Sequence, residues 1–225
     1  MPQAGAQQSR ISVEGAIDIT QEQQQFVDRF VAASRQHDTA PFWDLILPAS
    51  RACMSDDEKK VSEMMDFGHT MEQPVPDDYY TQVTEVKADE MADFYHMMYG
   101  SSAKAPAVPT HMIMVNFEGR AGVCPATNVS KIMYVTEQDG TWYQVLPCHT
   151  SLPMSADELA AKMDADKEKA AAQFAGLSDE TKAKVRDLLV NGGSKIEAMK
   201  TIAAELGVSL GETRSVIDKF CEKTD

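Results

Sequence analysis

The chain has 225 residues, of which 43% are hydrophobic and 25% are charged, and its formal net charge is −14. The apolar fraction is too high for a chain that is disordered throughout, and no apolar run approaches the ~20 residues that a membrane helix needs. Because an acidic protein repels phosphate backbones and anionic lipids, we expect neither a nucleic acid nor a membrane as its partner.

The first 18 residues contain one basic residue, Arg10, and no apolar core segment, which argues against a secretory signal and an Arg-rich transit peptide. We therefore interpret residues 1–18 as a disordered tail and predict a cytoplasmic protein. The four cysteines are widely spaced and form no CxxC pair, a pattern that indicates buried thiols in a reducing compartment rather than a disulfide framework or a zinc site. One alternative stays open, a disulfide between Cys124 and Cys148 in the strand-rich region.

Capping boxes predict helices in the first part of the chain, since a Ser or Thr and a Glu or Gln three residues later can cap each other's backbone. Thr20 opens such a box and predicts a helix that ends near residue 37. Ser55 opens another and predicts a helix over residues 56–67. Between them, a helix is predicted from Pro41, whose fixed φ suits a first helical position.

An alternating pattern of apolar and polar residues then predicts an antiparallel sheet. Strands are predicted over residues 79–86, 111–118, 129–137 and 141–148, with a helix over residues 89–99 after the first of them. Asp139 and Gly140 separate the last two strands and are a strong signal for a tight hairpin.

From Ser155 onward the sequence predicts helices only. Residues 156–174 are rich in Ala, Lys and Asp and are interpreted as a solvated connecting helix. Three short helices are predicted after it, over residues 179–190, 195–206 and 210–222. On the second of these, the spacing of Ile196, Met199, Ile202 and Leu206 predicts one buried stripe.

The predicted fold class is therefore α+β, with a small all-α module at the C-terminal end. Four parts are expected: a tail (1–18), an α+β domain (19–150), a connecting helix (151–177) and a three-helix module (178–225).

The order of three helices, a strand, a helix and an antiparallel sheet resembles the nuclear transport factor 2-like family, also described as SnoaL-like or cystatin-like. The segments FVDRFVAASRQHDTAPFWDLI and KIMYVTEQDGTWYQVLP carry this resemblance, which covers residues 18–150. In that family a curved sheet wraps a long helix into a cone that often holds an apolar ligand, and its outer face often forms a homodimer. The resemblance implies a cone-like sheet, a homodimer and an apolar small-molecule ligand here.

If the cone is present, aromatic side chains are the ones expected to reach its cavity and bind a ligand. They are Phe26, Phe30, Trp43, Tyr95, Phe117, Tyr134, Trp142 and Tyr143. Aromatic residues at these spacings are more often part of a packed core than of a binding site.

An enzyme of this fold sets an Asp or His deep in an apolar cavity, where desolvation raises the pKa of a carboxyl group. The candidates for such a catalytic role are Asp93, His96, His111 and Asn116. The sequence shows no motif for phosphate binding, for a nucleophile elbow or for a zinc site, and the five histidines lack ligand spacing. We therefore predict no cofactor and no metal.

Residues 195–218 (KIEAMKTIAAELGVSLGETRSVID) resemble the paired helices of the ribosomal stalk protein's C-terminal domain. Lysines of that family help to contact translational GTPases, so the resemblance implies that Lys195, Lys200 and Arg214 bind a protein partner. The strands that flank those helices in the family have no counterpart in this sequence. A helix-turn-helix interpretation of the same segment is weak, because Arg214 and Lys219 are the only basic residues of its second helix.

The sequence thus predicts a cytoplasmic ligand-binding or protein-interaction module, which dimerises through the cone domain and recruits a partner with its C-terminal helices. The alternative is a small SnoaL-like isomerase, cyclase or hydrolase that acts on an apolar substrate in the cone. A cavity filled by the protein's own side chains favours the first hypothesis, whereas an open cavity with a paired Asp and His favours the second.

Overall fold

The computed structural model describes residues 15–88, 91, 97, 102–119, 124, 127–190 and 194–221. Before the sheet lie α1 (Gln21–Ser34), α2 (Ala40–Trp43), α3 (Pro48–Cys53), α4 (Asp56–Ser62) and α5 (Gly68–Glu72). The strands are β1 (Ala16–Ile17), β2 (Tyr80–Glu85), β3 (Ala103–Lys104), β4 (His111–Gly119), β5 (Thr127–Gln138), β6 (Thr141–Gln144) and β7 (Cys148–His149). After them come α6 (Ala156–Gly176), α7 (Asp179–Val190), α8 (Lys195–Leu206) and α9 (Arg214–Cys221). The predicted α+β class is confirmed, and the helix predicted over residues 89–99 falls almost entirely outside the described residues.

The capping boxes predicted at Thr20 and Ser55 are both present at the starts of α1 and α4. The helix predicted over residues 56–67 does not stop near residue 67, because α4 passes through a π-helical turn (Glu63–Phe67) into α5. The turn places the Phe67 ring in a stack on Phe42, with ring centroids 5.0 Å apart. The helical segment is thus longer and less regular than its capping signals indicate, and its irregular turn packs against α2.

Five strands form an antiparallel sheet in the order β1-β2-β4-β5-β6. The hairpin predicted between β5 and β6 is confirmed, and both Asp139 and Gly140 have positive φ, as a tight primed turn requires. Strand β1 lies inside the segment interpreted as a disordered tail and pairs with β2. The prediction of a disordered tail is therefore wrong for residues 16 and 17.

The last predicted strand, residues 141–148, is divided in two. At the end of β6, the backbone of Gln144 pairs with the segment between α2 and α3. Its N–H donates to the carbonyl of Leu45 at 2.8 Å, and its carbonyl accepts from the N–H of Leu47 at 2.9 Å. Pro147 has no N–H to continue the ladder. Cys148 and His149 pair instead with β3 in a separate two-stranded sheet.

The first hydrophobic core lies between α1 and the inner face of the sheet. Alternation along β4 places Ile113, Val115 and Phe117 on this face, where they pack with Phe26 and Phe30 of α1. The buried residues of this cluster also include Met133 and Val135 from β5 and Phe42, Leu45 and Ile46 from the segment after α1.

A second and separate cluster of buried residues lies in the C-terminal helices. Its members are Ala170, Leu177, Val185, Leu189, Ala198, Ile202, Val216, Ile217, Phe220 and Cys221. Ile202 is buried as predicted, but the predicted stripe is wrong at Ile196, which is 59% exposed, because α8 turns Ala198 inward instead. The last helix begins at Arg214 rather than at residue 210, since a 3-10 turn (Gly211–Thr213) precedes it.

The four cysteines form two disulfides, Cys53–Cys148 and Cys124–Cys221, with Cα–Cα distances of 5.9 and 5.0 Å. The interpretation of the cysteines as free thiols is therefore wrong, and so is the alternative pairing of Cys124 with Cys148. Each native bond joins residues that only the folded chain brings together, across 95 and 97 positions of sequence. No helix among the described residues is long and apolar enough to cross a membrane.

Candidate functional site

The aromatic residues expected to line a cone cavity belong mainly to the first core. Phe26, Phe30 and Phe117 are nearly or completely buried, and Trp43 and Trp142 pack against them. Tyr134 and Tyr143 alternate with the inward-facing residues of β5 and β6 and so lie on the outer face of the sheet. Tyr95 lies outside the described residues. Phe26, Phe30 and Phe117 thus fill the space between α1 and the sheet, whereas Tyr134 and Tyr143 lie on the opposite face.

Two of the catalytic candidates, His111 and Asn116, lie on β4 but on opposite faces of the sheet, because they are an odd number of residues apart. The rings of His111 and Trp142 make an edge-to-face contact, with centroids 5.0 Å apart. Burial lowers the pKa of His111, although the negative charge of Glu85 acts to raise it. Asn116 donates to Oε1 of Gln82 at 3.2 Å and accepts from Oγ of Ser130 at 2.6 Å. These two hydrogen bonds fix the Asn116 side chain between β2 and β5.

Asp93 and His96, the other two catalytic candidates, lie outside the described residues. Among the described residues no group of three or more His, Cys, Asp and Glu side chains is arranged to hold a metal ion.

The cations expected to bind a partner lie on two helices, with Lys195 and Lys200 on α8 and Arg214 at the start of α9. Lys200 is ion-paired with Glu197 of the same helix at 2.8 Å. All three cationic side chains are exposed.

Two exposed apolar residues accompany Lys195 at the connection between α7 and α8. Val190 ends α7 and is 52% exposed, and Ile196 lies in the first turn of α8. Lys200 is four residues beyond Ile196 and therefore shares its helix face. We refer to Val190, Lys195, Ile196 and Lys200 as the turn patch.

A surface pocket of about 470 Å³ lies where α3 and α4 meet the segment after β7. Its lining includes Cys53 from the end of α3, Asp57 and Glu58 from α4, and His149 from β7, together with Met54, Ser55, Thr150, Ser151 and Leu152. None of the residues predicted to be catalytic or ligand-binding lines it.

Glu58 is the most buried charged group of this pocket, with 5% of its surface exposed. Its carboxylate accepts from the Ser55 N–H at 2.7 Å and from the His149 N–H, and Nδ1 of His149 lies 3.3 Å from Oε1. Burial alone raises the pKa of Glu58, but the hydrogen bonds from Ser55 and His149 outweigh it and hold the pKa below the usual value of 4.5. Glu58 therefore remains ionised and fixes β7 against the first turn of α4.

The pocket also gives access to a disulfide. Cys53 is exposed and Cys148 half-buried, whereas in the other disulfide Cys124 is half-buried and Cys221 is only 6% exposed. The sequence does not predict this site, because Glu58 and His149 are 91 residues apart. In addition, the capping box at the start of α4 already gives Glu58 a structural role. Nothing in the local sequence around His149 indicates its carboxylate partner.

Comparisons of the chain with protein-family models, with curated proteins and with solved structures found no match. Both family resemblances of the sequence therefore remain predictions.

Proposed function

We propose that the protein is a protein-interaction module that dimerises through the outer face of its sheet and binds a protein partner with its C-terminal helices. The observation that carries this proposal is the filled first core: Phe26, Phe30 and Phe117 occupy the space that an enzyme of the cone type needs for its substrate. The alternative function, an isomerase, cyclase or hydrolase in the cone, is not supported by the placement of His111 and Asn116 on opposite faces.

The surface proposed for dimerisation is the part of the sheet's outer face around Ile132 of β5, since Met114 and Asn116 on the outer face of β4 are already buried. Met112 and Tyr134 are register partners there, and the neighbouring Ile132 is 51% exposed. A second copy would remove this apolar side chain from water, which is the usual driving force of homodimer contacts. Light scattering coupled to gel filtration should give a dimer for the native chain and a monomer for Ile132→Lys. Val108→Lys, an equally exposed loop position, is the matched control and should remain a dimer; a monomeric native chain contradicts the proposal.

The partner proposed for the C-terminal helices is an acidic segment with apolar side chains, because the turn patch combines exposed Val190 and Ile196 with Lys195 and Lys200. A titration with a synthetic helical peptide that carries Glu and Leu on one face tests this. Amide NMR signals of α8 should shift, and Lys195→Glu with Ile196→Ser should abolish the shift. Lys184→Glu, on the exposed surface of α7, is the control and should leave binding unchanged.

The compartment is a separate part of the proposal. The N-terminal sequence predicted the cytoplasm, but two disulfides are typical of proteins in oxidising compartments. We therefore place the protein, in its disulfide-bonded form, in an oxidising environment. Alkylation of thiols before cell lysis should leave all four cysteines unmodified; a fully alkylated chain supports the cytoplasm instead.

A further inference from the structure

The two disulfides differ in their access to solvent. Cys221 is buried in the second core, and Cys124 is half-buried where it packs against the same cluster. Cys53, in contrast, is exposed and lines the pocket between α3, α4 and the segment after β7. Thiol–disulfide exchange requires a thiolate to reach a sulfur atom, so access strongly favours attack on Cys53.

The pocket has the volume of a small-molecule site and carboxylates in its lining. Its volume of about 470 Å³ lies within the range of sites for small molecules, ~300–1,000 Å³. The residues that line it include the carboxylates of Asp57 and Glu58 and the imidazole of His149, but no lysine or arginine. Hydrogen bonds hold Glu58 in its ionised form, so the local field attracts cations and repels anions.

We propose that Cys53–Cys148 is a reactive disulfide that exchanges with small cationic thiols in this acidic pocket. The thiolate sulfur attacks Sγ of Cys53, the bond between Cys53 and Cys148 breaks, and Cys148 leaves as a thiolate, which takes up the proton that the incoming thiol lost. The product is a mixed disulfide at Cys53 and a thiol at Cys148. A second thiol molecule attacks the small-molecule sulfur of the mixed disulfide, which releases Cys53 as a thiol. In total the protein disulfide is reduced and two small thiols are oxidised to their own disulfide.

The test compares cysteamine, 2-mercaptoethanol and glutathione, which carry a cation, no charge and a net negative charge next to the thiol. Each is added to the full native chain at the same thiolate concentration, the reaction is stopped with acid, and peptide mass spectrometry locates the mixed disulfides. We expect the cysteamine adduct on Cys53 about tenfold faster than the glutathione adduct at low ionic strength, with a smaller ratio at high salt. Cys124–Cys221 should still be intact when half of Cys53 has reacted.

A pair of charge variants separates the pocket's field from the general acidity of the chain. Asp57→Asn should reduce the preference for cysteamine over glutathione about threefold, since one nearby carboxylate is lost. Asp139→Asn removes the same charge from the distant β5–β6 hairpin, where asparagine tolerates the positive φ, and should leave the preference unchanged. The proposal is overturned if Cys124–Cys221 reacts first or equally fast, if the adduct forms on Cys148, or if both variants change the preference equally.

Discussion

Cys124 and Cys221 are joined by a disulfide although 97 residues separate them in the chain. Cys124 lies between β4 and β5, and Cys221 lies in the last turn of α9, inside the second core. The bond therefore ties the connection between two strands of the sheet to the end of the C-terminal helices. The two hydrophobic cores are separate, but this disulfide links the chain segments that build them, in addition to the polypeptide backbone.

Limited proteolysis should reveal this link. Residues 164–169 of α6 are all exposed, so a protease should cleave there before it cleaves in either core. The two fragments should run as one band on a non-reducing gel and as two bands after reduction, because Cys124–Cys221 connects them. Cys124→Ser with Cys221→Ser is the control and should give two bands in both conditions. First cleavage within β5 or β6 contradicts the predicted division of the chain.

Ile202→Asp should unfold the second core alone. The side chain is fully buried in α8, and an unpaired carboxylate there costs several kcal/mol, more than so small a core can supply. Circular dichroism should show a loss of helix, while the fluorescence of Trp43 and Trp142 in the first core stays unchanged. Ala204→Asp places the same charge on the exposed side of α8 and should keep the native helix content. A shift of both tryptophan signals in Ile202→Asp indicates that the two cores unfold together.

The carboxylate of Glu58 should make the free energy of unfolding of the first core vary with pH in the acid range. Its folded-state pKa is lower than its usual value, so its contribution to stability is complete above the unfolded-state pKa and is lost as the pH falls through the folded-state pKa. Glu58→Gln should lower the free energy of unfolding by about 1–3 kcal/mol at pH 7 and by much less near pH 3, as measured by urea denaturation. Glu118→Gln, an exposed position on β4, should show no such difference. An equal loss of stability at both pH values contradicts an ionic role for Glu58.

Phe26→Ala should turn the filled first core into a binding cavity. The ring is completely buried, and its removal should cost about 3–5 kcal/mol of the free energy of unfolding. Because apolar cavities of this kind stay dry and accept small aromatic molecules, benzene should raise the melting temperature of the variant but not that of the native chain. Stabilisation of the native chain by benzene indicates that an open cavity is already present.

Local patterns of the sequence predict the elements whose signals are contained within a few residues. Alternation over residues 111–118 predicts β4, and Asp139 with Gly140 predicts the hairpin, because each signal reflects a single strand or turn. Strand β1 was missed because two residues carry no periodicity. The continuation of α4 into α5 was missed because the stacking of Phe67 on Phe42 of α2, which accompanies it, leaves no local signal in the sequence.

The site itself could not be predicted in the same way. Glu58 and His149 meet only because β7 leaves the main sheet and pairs with β3 beside α4. The two disulfides likewise depend on the tertiary fold and carry no local signature. The candidate residues of the cone were chosen because they are aromatic, but residue type does not distinguish a filled core from a lined cavity.

The two disulfides are interleaved along the chain, since Cys124 falls between Cys53 and Cys148, and Cys148 falls between Cys124 and Cys221. In a reduced, unfolded chain the shortest loop joins Cys124 to Cys148, which are 24 residues apart. Loop entropy makes this non-native bond about eightfold easier to close than either native bond. Oxidation of the unfolded chain should thus trap Cys124–Cys148 first, and productive biosynthesis needs either folding before oxidation or an isomerase that reshuffles the first bond.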